Sequence, residues 1–421
     1  MMARRNLQSL LVAGAALIAV VSLAAGIRNA WQQPNDFRLR YHTARLMLAG
    51  ENPYRLHLTG ELTPRAREVL GENTGALAPD YVPSAMLVML PLALLPWTGA
   101  KLVWLCLNLA AAAGLVSLLR RWPAASSLPR SAFLAAVCLW IAGTPYRNDL
   151  GLGQNCVYSL ALTLAALWCQ ERKHVVIAGT LLALGLFKYY YVAPLVLFCF
   201  VLNRGWKTLF VAGLIHGAAH LLICRHIGAH PLGVFADVWQ DNARVFNRNA
   251  MLTAWLPFRT LADWFPQAPI PATLLGAVTL ATILGGLIFV WRRQPKLTDY
   301  PAWIFLLGLL STLAVTAKNC HLAYFLCGWL WCFTLKDTPA TRLPRRLVLA
   351  SLVYLTLIHR LLEALGAGSG GELKLWLPRG FNFALFGLCA ASFVLFWRTM
   401  GRAPAGGDSD ATPTPAPPSP C

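Results

Sequence analysis

Charge is what this sequence is short of. Lys, Arg, Asp and Glu make up 13% of its 421 residues, where a water-soluble domain carries about 25%. That deficit excludes an ordinary soluble globule. Acidic residues are the scarcest, 17 against 36 Lys and Arg, which leaves a formal net charge of +19. Phosphate-cradling motifs are lacking too: there is no P-loop, no G-x-G-x-x-G after a strand-like run, and no G-x-S-x-G. Nucleotide use through a soluble dinucleotide-type domain is thereby disfavoured. No internal repeat is visible, which weighs against a transporter built from repeated halves. The eleven cysteines lie mostly inside apolar runs and read as small buried hydrophobes, not as a disulfide framework.

What is present is apolar sequence in long runs, 57% of the chain, with a mean hydropathy of +0.54. A bilayer-crossing helix needs about 20 such residues. The expectation is an all-α polytopic membrane protein of about twelve spans, within a range of 10–14. They fall at 7–27, 98–119, 131–145, 156–170, 175–188, 190–203, 207–224, 272–291, 301–317, 320–335, 347–362 and 378–397. Two shorter stretches rich in Pro or Trp, 82–97 and 251–265, are expected to be partial helices lining a protein cavity, because lipid cannot satisfy their broken backbone. The basic residues cluster between runs, as at Arg120–Arg121, Arg172–Lys173 and Arg345–Arg346, which is the pattern of positive-inside topology signals rather than of nucleic-acid binding. This layout places the chain in the inner or plasma membrane with both termini cytoplasmic. Residues 1–400 form one membrane domain, and 401–421 a disordered Pro/Thr-rich tail.

The longest polar stretch, 28–80, is expected outside. It holds six of the seventeen acidic residues: Asp36, Glu51, Glu61, Glu68, Glu72 and Asp80. Segments 36–49 and 61–70 have amphipathic helical character, closed by Gly50 and Gly71. The remaining outer loops are 146–155, 225–250, 318–319 and 363–377. His216 with His220, and His226 with His230, are spaced i,i+4, but no HExxH glutamate accompanies them and no metal is expected.

The first loop carries Asp36-Phe37, then Tyr41, then Gly50-Glu51-Asn52-Pro53-Tyr54, and closes on Tyr81-Val82-Pro83-Ser84 before a Pro-containing apolar segment. In this order the motifs resemble glycosyltransferase family 87, membrane enzymes of the GT-C superfamily that use polyprenyl-phosphate sugars. Further likenesses follow: Gly151 to Asn155 resembles the family's G-Q-x-N turn, and Gly179 to Lys188 its glycine-containing helix ending in Lys. Asn242 to Asn249 resembles its Asn-rich loop. Lys318 to His321 stands where the family has S-P-x-S-W-x-H-H, of which one His remains.

The resemblance implies a GT-C-like bundle and inverting transfer of a hexose, mannose by analogy. The donor would be a polyprenyl-phosphate sugar, and the acceptor a glycolipid or glycan at the outer membrane face. Such a displacement needs one carboxylate as base, because the lipid phosphate already leaves well. Asp36 is the expected base, although an N-cap for the following helix is the structural alternative. Lys188, His321, Arg244 and Arg248 are expected to hold the donor phosphate. Tyr41, Asn52, Tyr54, Asp149, Gln154, Asn155 and Asn242 are expected to bind sugar or acceptor. Asp149 equally suits a helix cap or a salt bridge with Arg147, and Lys188 equally suits snorkelling to the interface. No cofactor is expected. A flippase of lipid-linked sugars, or an inactive family member, remains the alternative.

Overall fold

The computed structural model describes residues 2–71, 79, 81–238, 300–314, 322–358 and 372–400, with a few residues between 281 and 292. Among the described residues there is no strand. The chain opens with α1 (Met2–Gln32), α2 (Asn35–Leu48), α3 (Pro53–Thr59), α4 (Pro64–Leu70) and α5 (Met89–Ala93). It continues through α6 (Trp97–Arg120), α7 (Pro123–Ser126), α8 (Arg130–Ala142), α9 (Thr144–Gly151), α10 (Cys156–Glu171), α11 (Val175–Gly185), α12 (Tyr189–Val196) and α13 (Trp206–His226). Beyond residue 300 lie α14 (Tyr300–Ala314), α15 (Phe325–Thr334), α16 (Pro339–Val353) and α17 (Glu372–Met400).

Among the described residues three helices are long and apolar enough to cross a bilayer alone, one within Val12–Leu48, then Trp97–Arg120 and Trp206–His226; a broken pair, α9 with α10, makes a fourth if counted as one span. The described residues therefore do not confirm the expected count of about twelve. The other expected spans that are described coincide with helices of 10–17 residues or with the long terminal α17, and most of 272–291 lies outside the described residues. At 1.5 Å per residue a 15-residue helix is only about 22 Å long, short of the roughly 30 Å hydrocarbon core. The hydropathy signal marks burial in an apolar surrounding, and it cannot separate lipid from protein interior.

The exposed faces support a membrane setting. Leu17, Val20 and Val21 on α1, and Phe210, Leu214 and Leu222 on α13, each leave more than 60% of their surface uncovered. Water penalises such continuous apolar faces, and lipid does not. The helices pack by small residues where they approach closely. Gly179 of α11 lies so near α13 that an added Cβ would fall 2.4 Å from the Cβ of Val211, so only glycine fits there.

The first polar stretch folds largely as its pattern implies. Helix α2 ends just before Gly50 and α4 ends at Gly71, while α3 is an additional helix, started by Pro53 at its first turn and by Asn52. The partial helix expected at 82–97 is a 3₁₀ turn (Pro83–Val88) running into α5 and a bend at Leu94–Pro96. Its counterpart at 251–265 lies outside the described residues. One loop reading needs correction: 146–155 is mostly α9, which Pro145 starts and which ends at the helix break.

Candidate active site

The site is built on the break between α9 and α10, whose axes differ by 101°. Broken helices leave backbone N–H and C=O groups without partners, which an apolar setting does not tolerate. Several of them are met by specific groups. The carboxylate of Asp149 accepts from the N–H of Cys156 (3.0 Å) and Val157 (3.2 Å), capping α10. The carbonyl of Leu152 accepts from the N–H of Asp36 (3.1 Å) and Phe37 (3.3 Å), which docks the start of α2 onto the end of α9. The carbonyl of Gly153 accepts from Arg40 Nη1 and Trp104 Nε1, both at 3.1 Å. Gly153 itself has φ +67°, and a Cβ there would lie 2.5 Å from the Cβ of Phe37. Only glycine permits this turn, and the turn aims Gln154 at α2.

Gln154 then joins three charged residues that are remote in sequence. Its side-chain amide donates from Nε2 to Asp36 Oδ2. Its carbonyl Oε1 accepts from Lys188 Nζ at 2.7 Å and from Arg40 Nη2 at 3.1 Å. Two cations on one side of the amide leave only its N–H₂ end for the carboxylate, so the orientation of Gln154 follows from its partners. Arg40 Nη2 also donates to the Tyr81 hydroxyl (3.2 Å), and its guanidinium lies 5.1 Å over the Tyr81 ring. Lys188 Nζ contacts Cys156 Sγ at 3.0 Å. Lys188 is fully buried, Arg40 and Gln154 are buried, and Asp36 is half-buried. Beside them Asn155 is fully buried, yet neither polar atom of its side chain has a hydrogen-bond partner among the described residues. An uncommitted buried amide costs about 1–3 kcal/mol, and a polar ligand would remove that cost.

The structure thus brings Asp36, Gln154, Asn155 and Lys188 together. Asp149 lies just beneath them as a cap. Tyr41 and Tyr54 are buried neighbours on the same side of the molecule: the Tyr41 hydroxyl donates to the carbonyl of Leu95 (2.8 Å), and that of Tyr54 to the carbonyl of Tyr81 (2.6 Å). Asn52 Oδ1 accepts from the N–H of Tyr54 and Arg55 and caps α3. Asn52→Ala is accordingly expected to cost about 1 kcal/mol of stability and to leave sugar transfer within twofold of wild type. Thermal unfolding and transfer assays on the purified protein check this. Arg244, Arg248, Asn242 and His321 lie outside the described residues. His216, His220 and His226 each place Nε2 against a backbone carbonyl, of Ala183, Pro231 and Leu48.

Sequence reasoning missed Arg40 and did not weigh Tyr81 or Cys156 as members of the site. Arg40 had a readable signal: it stands four residues after Asp36, on the same face of α2, in a segment whose buried side it shares with Phe37 and Tyr41. Tyr81 stood in the Tyr81-Val82-Pro83-Ser84 motif, but its place beside Arg40, like that of Cys156 beside Lys188, comes from contacts across the fold.

An apolar cavity of about 410 Å³ opens next to this junction. Val82, Ser84 and Ala85 line one side, Leu186 and Tyr189 the second, and His216, Phe235 and Val238 the rest. Leu186 and Tyr189 flank Lys188 in sequence, and Val82 follows Tyr81. The cavity therefore begins where the charged junction ends.

Residues 81–317, more than half of the chain, match the model of glycosyltransferase family 87. No curated protein and no solved structure matches the chain. The match contains Gln154, Asn155 and Lys188 and begins at Tyr81, while Asp36 and Arg40 come from the preceding segment and reach it through hydrogen bonds. On this match the chain belongs to glycosyltransferase family 87.

Proposed function

We propose that the protein is an inverting membrane glycosyltransferase that takes a hexose, mannose by family analogy, from a polyprenyl-phosphate donor. The acceptor is a hydroxyl of a glycolipid or glycan, met at the outer face of the membrane. The observation that carries the proposal is the chain of hydrogen bonds from Asp36 through Gln154 to Lys188 and Arg40. It holds a carboxylate and two cations in one place, which is the pair of tasks such a reaction sets.

In the proposed reaction, Asp36 Oδ1 takes the proton of the acceptor hydroxyl. That oxygen carries no hydrogen bond among the described residues, and Asp36 is half-exposed. The acceptor oxygen forms its bond to the anomeric carbon as the bond from that carbon to the phosphate oxygen breaks, and the electron pair leaves with the phosphate. Lys188 and Arg40 supply positive charge behind Gln154 against the charge that develops on the leaving group. Arg244, Arg248 and His321 are proposed as its direct partners, and Asn155 with Asn242 as partners of sugar hydroxyls. The apolar cavity beside Lys188 suits the first units of a lipid chain. As proposed, the chemistry needs no metal and no cofactor.

The test incubates purified protein with polyprenyl-phosphate mannose or glucose and with glycolipid acceptors, and analyses the products by mass spectrometry and NMR. A new glycosidic bond of inverted configuration is expected. Redistribution of the donor across vesicles without any new bond would overturn the proposal in favour of a flippase.

A further inference from the structure

A second cavity, of about 600 Å³, lies on the other side of α2 from the Asp36 junction. Its walls are Tyr41, His42 and Arg45 of α2, Glu68 to Gly71 at the end of α4, and the bend from Ala93 to Trp97. None of the residues that hold Asp36, Gln154 and Lys188 together belongs to it. Its volume falls within the range of small-molecule sites.

Three observations define what it can hold. First, His42 is buried to 6% exposure and lines the cavity, yet its Nδ1 has no hydrogen-bond partner among the described residues. A buried ring nitrogen left unsatisfied is costly and calls for a polar ligand. Second, the exposed charges on the two walls are opposite in sign, Arg45 on α2 and Glu68 on α4, and no ion pair joins them among the described residues. Glu68 opposes an anion such as a phosphate, and Arg45 opposes a cation. A neutral ligand that both donates and accepts hydrogen bonds satisfies both walls at once. Third, aromatic rings underlie the polar groups. Trp97 is half-buried and packs against Phe37 (5.5 Å, 20°) and Tyr41 (5.1 Å, 55°), with His42 at 6.2 Å and 22°. Aromatic surface next to paired donors and acceptors matches a sugar ring, which has apolar C–H faces and a hydroxyl rim. The cavity beside Lys188 has by contrast a mostly apolar lining.

We infer that this cavity is a saccharide site, and that it binds a sugar unit of the acceptor remote from the hydroxyl being glycosylated. The inference rests on the proposed transferase reading. Helix α2 connects the two sites: His42 lies six residues beyond Asp36, about 9 Å along the axis and around the helix from it, so an acceptor of several sugars is needed to reach both. The acceptor is then an oligosaccharide or glycan headgroup, and a simple lipid alcohol is a poor substitute.

Two exposed residues serve as probes: Arg45, whose guanidinium lies 6.0 Å over the Tyr41 ring, and Glu68; Arg45→Gln and Glu68→Gln change the charge of the walls and replace no buried residue. In the transfer assay, each is expected to raise the KM for an oligosaccharide acceptor about tenfold, the effect of losing one charge-assisted hydrogen bond. The KM for the donor and kcat should stay within twofold. Unchanged acceptor KM in both variants overturns the inference. A second measurement does not depend on turnover: ligand-observed NMR of methyl α-mannoside, methyl α-glucoside and their disaccharides with the full-length protein in nanodiscs. Binding is expected in wild type and in Asp36→Asn, and is expected to fall at least fivefold in Arg45→Gln and Glu68→Gln. Equal binding in all four proteins, or none in any, sinks the saccharide site even if transfer itself is observed. Binding with this pattern, but without transfer in any assay, retains the site and removes the transferase reading.

Discussion

Asp36→Asn is expected to reduce sugar transfer by about a hundred- to ten-thousand-fold, the usual contribution of a positioned general base. The substitution isolates that role unusually well. Asparagine keeps the shape of the side chain, and its carbonyl oxygen can still accept the hydrogen bond that Gln154 Nε2 now gives to Asp36. The junction with Lys188 and Arg40 is thus retained, as is the docking of the α2 backbone onto the carbonyl of Leu152. What disappears is the capacity to take a proton. Expression, thermal unfolding and donor affinity should stay near wild type while kcat collapses. If the variant turned over at the wild-type rate, Asp36 would be reduced to a helix-start residue, and the base would have to be sought elsewhere.

Substitution at Gln154 is expected to have the other large effect, with a different signature. Gln154→Leu removes both ends of the bridge. The buried Lys188 ammonium loses its 2.7 Å acceptor, Arg40 loses one of its acceptors, and Asp36 loses its donor. Hydrogen bonds to charged groups contribute about 1.5–3 kcal/mol each. The combined loss is a large part of the 5–15 kcal/mol typical of a folded domain. A markedly lower unfolding temperature and no measurable transfer should result. Gln154→Glu separates the two functions of the bridge. A carboxylate still accepts from Lys188 and Arg40, so the unfolding temperature should recover much of the loss. It has no N–H to offer Asp36, so kcat should remain low. Equal stability and activity in both variants would show that Gln154 merely fills space.

Much of the architecture was legible along the chain because its signals are local. The apolar runs at 98–119 and 207–224 became α6 and α13, and the glycines at 50 and 71 stand where α2 and α4 stop. Asp36 was conspicuous because carboxylates are rare here and it stands at the head of an amphipathic helix. The span count is not confirmed, and the reason is local as well: apolar composition reports the absence of water and is silent on whether lipid or neighbouring helices replace it. Helix α9 was read as loop because its eight residues mix polar and apolar types, and packing against α1 and α8 is what keeps it helical.

The long apolar helices α6 and α13 and the membrane character follow from composition and periodicity alone, since each is a property of neighbouring residues in an apolar solvent. The likeness to a family was legible too, but as a resemblance of short motifs and not from composition or periodicity. The pairing of Asp36 with Lys188, separated by most of the described first half of the chain, was not. It depends on a 101° break between α9 and α10, on a turn that only Gly153 permits, and on a glutamine whose two ends differ in chemistry. Tertiary structure decided it because a hydrogen bond acts over about 3 Å. Sequence separation carries no information at that range until the backbone has folded, and the same few charges that composition singled out acquired their partners only then.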